Sequence, residues 1–158
     1  MTAQDKQIKE IINSIETFCL GDIKYNRDKP IAAFMLCICC IDTLGALGCN
    51  GGRSNTRFEW FIKRFMKDYK GRDIYNRCRN NVIHSYSSKK RYSIGNDKNY
   101  PYLYAYVGDT LRINTDYFIN NLVKGFKEMK KELLRLKSDI RKNAIDWDTE
   151  NPILREDN

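Results

Sequence analysis

With 158 residues, 42% of them hydrophobic and 12% aromatic, the chain is long enough for one domain with a real core and too short for two ordinary ones. Charged residues at 30%, against 9 Gly and 3 Pro, exclude a disordered or low-complexity scaffold. The net charge of +8 sits almost wholly in one stretch: residues 53–98 carry +9, residues 1–52 carry −1 and residues 99–158 are neutral.

In chain order, Ile8, Ile11, Ile12, Ile15 and Phe18 repeat at helical spacing and predict a first helix over residues 4–18. Gly21 to Asp28 reads as a connection, or else the helix runs on past Cys19. Lys29 to Leu47 is apolar on almost every face and too long for a strand, so it predicts a central buried helix. Its uncharged apolar run from Pro30 to Cys40 is shorter than the roughly 20 residues a bilayer span requires. The first ten residues show no apolar stretch of the secretory kind. The expectation is therefore a cytoplasmic protein with no membrane partner. A loop over residues 48–55 precedes Thr56, whose spacing to Glu59 is that of a capping box, with Phe58, Phe61, Ile62 and Phe65 as the inward stripe. Gly71 should break that helix and Asp73 cap a fourth one, running to about Ser85 with Ile74, Cys78 and Val82 on one face. Alternating Tyr and Ile residues around the turn pairs Gly95-Asn96 and Gly108-Asp109 predict a short β-hairpin or two short strands. Asn114 or Thr115 should cap a last long helix ending near Asn143. The fold class is thus mainly α, a bundle of about five helices with a hairpin inserted before the last one. It forms a single domain over residues 1–143 with a polar tail over 144–158.

The basic third holds thirteen Lys and Arg against Glu59, Asp68, Asp73 and Asp97. Such a cluster favours a polyanion, and a nucleic-acid backbone is the commonest one; the alternative is a solvated basic face. Arg77, Lys89, Lys90 and Arg91 are the candidate RNA contacts. The tyrosines at 100, 102, 104 and 106 could stack bases, although alternating tyrosines more often form a sheet face packed on a bundle. Six cysteines are present, three of them at positions 37, 39 and 40. Cys37 and Cys40 have C-x-x-C spacing but no second pair, so they read as core thiols of a reducing compartment, with no metal and no cofactor expected.

The chemistry-bearing segment is Arg77-Cys78-Arg79-Asn80-Asn81-Val82-Ile83-His84-Ser85-Tyr86, which contains the only histidine. On a continuous helix Asn80 and His84 lie one turn apart on the same face. RNA cleavage by the ribose 2′-hydroxyl needs a group of near-neutral pKa to move protons and a fixed cation to hold charge on the phosphorane. His84 and Arg79 are groups of those types. One chain offers one imidazole, so a two-imidazole mechanism calls for a symmetric dimer. The competing reading of the same residues is an exposed Arg and His that complement a helix C-terminus.

Arg79-Asn80-x-x-x-His84 resembles the signature of the HEPN superfamily, an Arg followed by a polar residue a few positions before a His. The likeness extends over about residues 1–142 as a helical bundle with an apolar second helix, though only the short motif is sharp. It implies a homodimeric, metal-independent endoribonuclease of the toxin–antitoxin or phage-defence kind, with Arg79 and His84 catalytic and Asn80 orienting them. It also implies an alternative, a non-catalytic module that binds RNA or a nucleotidyltransferase partner. Tyr86 completes a His-x-Tyr extension like that of HEPN toxins paired with nucleotidyltransferase antitoxins, in which this Tyr is adenylylated. Packing or base stacking is the other reading of Tyr86. The inserted hairpin and the Lys89-Lys90-Arg91 run depart from those toxins. Asp42, a carboxylate in the most apolar helix, demands a partner. Arg79 is one candidate, which would make Asp42 an orienting carboxylate; a loop-facing Asp near the helix end is the other reading. A third class, a structural dimerisation bundle, would use the basic third for solvation alone.

Overall fold

The structure, a computed structural model, describes residues 1–70, 74–76, 92–96 and 103–155. A capping box opens it: the Thr2 hydroxyl accepts from the Asp5 N–H at 3.1 Å while the Asp5 carboxylate accepts from the Thr2 N–H at 2.9 Å. Helix α1 (Ala3–Ser14) follows with Ile8, Ile11 and Ile12 buried. At Ile15 the helix widens into a π-helical turn (Ile15–Leu20), closed by the Gly21 N–H on the Glu16 carbonyl, and α2 (Gly21–Tyr25) continues without a break. Of the two readings of residues 21–28, the running helix is the one found, because Ile23 supplies another buried anchor.

Helix α3 (Pro30–Cys49) is the centre of the molecule. Pro30 sits in its first turn, where a missing N–H costs nothing, and Asn50 closes it in the left-handed region at φ 54°. Among the described residues it packs against α2, the π turn, all three long helices that follow it and the sheet. Its 20 residues and a mean hydropathy of 2.1 over its most apolar 18 match a bilayer span in length and composition, which corrects the shorter run expected from sequence. Of that window, 61% is buried inside the domain.

Helix α4 (Ser54–Phe65) starts two residues before Thr56, so the expected Thr56–Glu59 capping box does not open it. A tertiary contact described below engages Ser54 and Arg57 and sets the helix start. The chain then leaves α-geometry at Met66 for a 3-10 turn (Lys67–Tyr69), well before Gly71, since Met66 and Tyr69 turn inward to full burial. The fourth helix expected over residues 73–85 falls mostly outside the described residues; Ile74, buried as its place on the apolar row requires, and the helical Tyr75 and Asn76 are described.

Three strands form one sheet in the order β1 (Tyr92–Gly95), β3 (Thr110–Asn114), β2 (Tyr104–Val107). β2 and β3 are an antiparallel hairpin turning at Gly108-Asp109, with Gly108 at φ 56°. Gly95-Asn96 is not a second hairpin turn. β1 runs parallel to β3, Gly95 opposite Asn114, and Asn96 instead bridges the Arg27 carbonyl and the Asp116 N–H. Leu111 and Ile113 alternate into the core while Tyr106 and Val107 stay exposed.

The Asn114 side chain caps α5 (Thr115–Leu134) by accepting from the Asp116 and Tyr117 N–H groups. The single long helix expected to reach Asn143 is two helices, α5 and α6 (Asp139–Glu150). The break falls where the apolar stripe fails: Leu133 is buried, whereas Leu134 and Leu136 point to solvent. The polar tail is corrected likewise, because α6 crosses residue 143 and the segment after it is anchored. Asp148, 2% exposed, accepts from Gln7 at 2.9 Å, Arg155 at 2.5 Å and the Ile153 N–H at 3.2 Å. Ser14 donates to the Leu154 carbonyl. The architecture is therefore mainly helical with a small sheet before the last long helices, as the residue patterns predict.

Among the five described thiols, two behave as core atoms and one, Cys39, is exposed. Cys37 and Cys40 are buried on α3, and burial pushes the Cys37 thiol up to about 12. Contact between the Cys19 and Cys40 thiols, together with burial, raises Cys40. At pH 8 a thiol at about 12 is ionised in only about one molecule in 10⁴. Iodoacetamide on the native protein is therefore expected to label exposed Cys39 and spare Cys37 and Cys40, which react only after unfolding. Peptide mapping by mass spectrometry reads this directly.

Candidate functional site

Of the candidate site residues, Asp42 lies among those described, as do Tyr104 and Tyr106 of the tyrosine row, whereas Tyr100 and Tyr102 lie outside them. Arg77, Arg79, Asn80, His84, Tyr86, Lys89, Lys90 and Arg91 lie outside them. What the fold describes is the frame on either side of that stretch. Before it, Ile74 is buried at 2% and the Tyr75 ring packs on Phe58 of α4, centroids 5.5 Å apart. After it, β1 is hydrogen-bonded along β3.

Asp42 faces α4 from the second half of α3. Arg57 binds it through a two-pronged fork, Nε to Oδ1 at 2.9 Å and Nη2 to Oδ2 at 3.0 Å, and the Ser54 hydroxyl donates to the same carboxylate at 3.1 Å. Both ionic side chains are about four-fifths buried. The Arg57 guanidinium is held above its ordinary range, first by its hydrogen bond to Asp42, and it also lies 6.0 Å from the centre of the Trp147 ring. The carboxylate thus has its required partner in Arg57, and the loop-facing reading of Asp42 is corrected. Sequence reasoning missed Arg57 because the apparent capping box at Thr56 drew attention to helix entry.

This ion pair fastens α3 to α4, and α4 carries Phe58, on which Tyr75 rests. Arg57→Ala should therefore cost about 2–3 kcal/mol, since it leaves a mostly buried carboxylate without its fork. Arg57→Lys should recover less than half, because an ammonium cannot present two parallel N–H groups. Urea unfolding of the three proteins checks both statements.

Among the described residues no group of three or more His, Cys, Asp or Glu side chains is placed to share a metal ion. Against protein-family models, curated proteins and solved structures, the chain matches none.

Proposed function

We propose that the protein is a HEPN-type endoribonuclease that acts as a homodimer and cleaves single-stranded RNA without a metal. The observation that carries this is the Arg79-Asn80-x-x-x-His84 sequence inside the stretch of +9 charge. In this reading His84 takes the proton from a ribose 2′-hydroxyl, which attacks the adjacent phosphorus. The 5′-oxygen of the next nucleotide leaves and takes a proton from the second imidazole of the dimer, the partner's His84, leaving a 2′,3′-cyclic phosphate and a 5′-hydroxyl. Arg79 offers a guanidinium fork to the phosphorane, and Asn80 orients the pair. Arg77, Lys89, Lys90 and Arg91 hold the RNA backbone. The mainly helical bundle around an apolar α3 supports the reading at the level of architecture. A toxin–antitoxin or phage-defence setting in the cytoplasm, with a nucleotidyltransferase antitoxin modifying Tyr86, belongs to the same proposal. An adenylyl group two residues from His84 would add bulk and negative charge where a phosphate must bind.

Mapping the ends of RNA incubated with the purified protein tests it: 5′-hydroxyl and cyclic-phosphate ends are expected. A protein that stays monomeric in solution and still cuts would overturn the dimeric mechanism. Retention of RNA without turnover would identify a non-catalytic binding module instead.

A further inference from the structure

A second site with chemistry of its own lies at the α5–α6 turn, where it meets the ends of α3 and α4. A half-open cleft of about 380 Å³ is bordered by Trp60 and Arg64 of α4, by residues of the turn, and by Gly48 at the end of α3. Trp60 is seated by that glycine: a Cβ at residue 48 would lie 2.1 Å from the indole. Arg64 lies over the Trp60 ring, its Cζ 5.6 Å from the centroid, and 5.7 Å from that of Phe65. A guanidinium held against rings keeps its N–H edge available for an acceptor.

The charges of the cleft do not cancel. Of its two carboxylates, Glu132 is bound by Arg135 at 2.7 Å and by the Ser138 hydroxyl at 3.0 Å, and Asp139 stands in the first turn of α6, against the positive end of that helix, while Lys142 pairs with Asp146 at 2.9 Å. Arg64 and Lys137 are left over. Neither has an ion pair or hydrogen bond among the described residues. A cation pair facing an open cleft is a demand for an anion from outside. The space exceeds what a bare oxyanion fills, and it falls in the usual range for small-ligand sites. The indole and guanidinium planes beside it suit a flat ring.

We propose that this cleft binds a nucleotide through its phosphate, with Arg64 and Lys137 as the phosphate ligands and Trp60 beside the base. The ligand is a free mononucleotide or the 5′-phosphorylated end of an RNA; the phosphate chemistry is common to both. The site is built from described residues other than Arg79 and His84, and it does not depend on the ribonuclease reading.

The test follows the two tryptophan indole N–H resonances by NMR, assigned with Trp60→Phe. Trp147 serves as the internal control. AMP should shift the Trp60 signal to saturation, and adenosine, lacking the phosphate, should not. A trinucleotide with a 5′-phosphate, compared with its 5′-hydroxyl form, shows whether an RNA end is also accepted. Arg64→Ala should weaken AMP binding at least about 10-fold and Lys137→Ala less, because a guanidinium makes paired contacts and an ammonium acts as a point charge. Both side chains are exposed, so these variants keep the fold. His84→Ala protein should bind AMP as the wild type does, which keeps failure of this proposal separate from failure of the ribonuclease reading. Equal shifts with adenosine and AMP, unchanged affinity in Arg64→Ala, or no shift with AMP or the 5′-phosphorylated trinucleotide would overturn it.

Discussion

His84→Ala should lower RNA cleavage by about 10³-fold or more, and EDTA should leave the wild-type rate unchanged. The size follows from the role proposed for the residue. A positioned general acid–base contributes about 10²–10⁴-fold, and this chain has a single imidazole per subunit, so a dimer loses both at once. Arg79→Ala should cost about 10²–10³-fold, as removal of one fixed donor to a developing oxyanion does. Arg79→Lys should recover part of RNA binding and little of the rate, because an ammonium restores charge without the fork. Initial rates on a fluorescent single-stranded RNA, with binding measured separately, distinguish these effects. Loss of wild-type cleavage on chelation would sink the metal-free mechanism.

Gly45→Ala should be the most damaging single methyl in the core. Gly45 lies on α3 where the backbone of α4 comes closest: a Cβ there would stand 2.2 Å from the Arg57 carbonyl oxygen and 2.6 Å from its carbon. No rotamer relieves a clash with main chain, so the two helices must separate, and separation stretches the Asp42–Arg57 fork that joins them. The cost should be about 3 kcal/mol, at the upper end for overpacking. For a domain of this size that lowers Tm by about 6–12 °C. Thermal unfolding followed by circular dichroism measures it. A change under about 2 °C would show that the helices have slack the close approach denies.

The helices were legible where one physical signal dominated. Ile8, Ile11 and Ile12 recur at helical spacing and are buried; residues 30–49 are too long and too uniformly apolar for anything but a core helix. Asn114, one of the two caps considered, accepts from two N–H groups through its side-chain oxygen. Boundaries failed where tertiary contacts outweighed local preference. Ser54 and Arg57 start α4 early because both bind Asp42, and nothing local distinguishes Arg57 from the other arginines of the basic stretch. The break between α5 and α6 was readable in retrospect from Leu134 and Leu136, which leave the buried stripe together. A parallel β1–β3 pairing has no local signature, since turn chemistry at Gly95-Asn96 says nothing of a strand fifteen or so residues on. Of the candidate site, the demand of Asp42 for a partner was legible and the partner was not. Arg79 and His84 were legible as chemistry alone, from residue type and spacing.

The two extremities of the described chain grip one another. Gln7 and Glu10 of α1 meet Asp148 and Arg155, and Ser14 meets the Leu154 carbonyl, across more than 130 positions of sequence. Neither end can fray alone, because releasing one strips partners from a buried carboxylate on the other. Melting should therefore be all-or-none instead of starting from a terminus, and amides in α1 and α6 should exchange together through global unfolding.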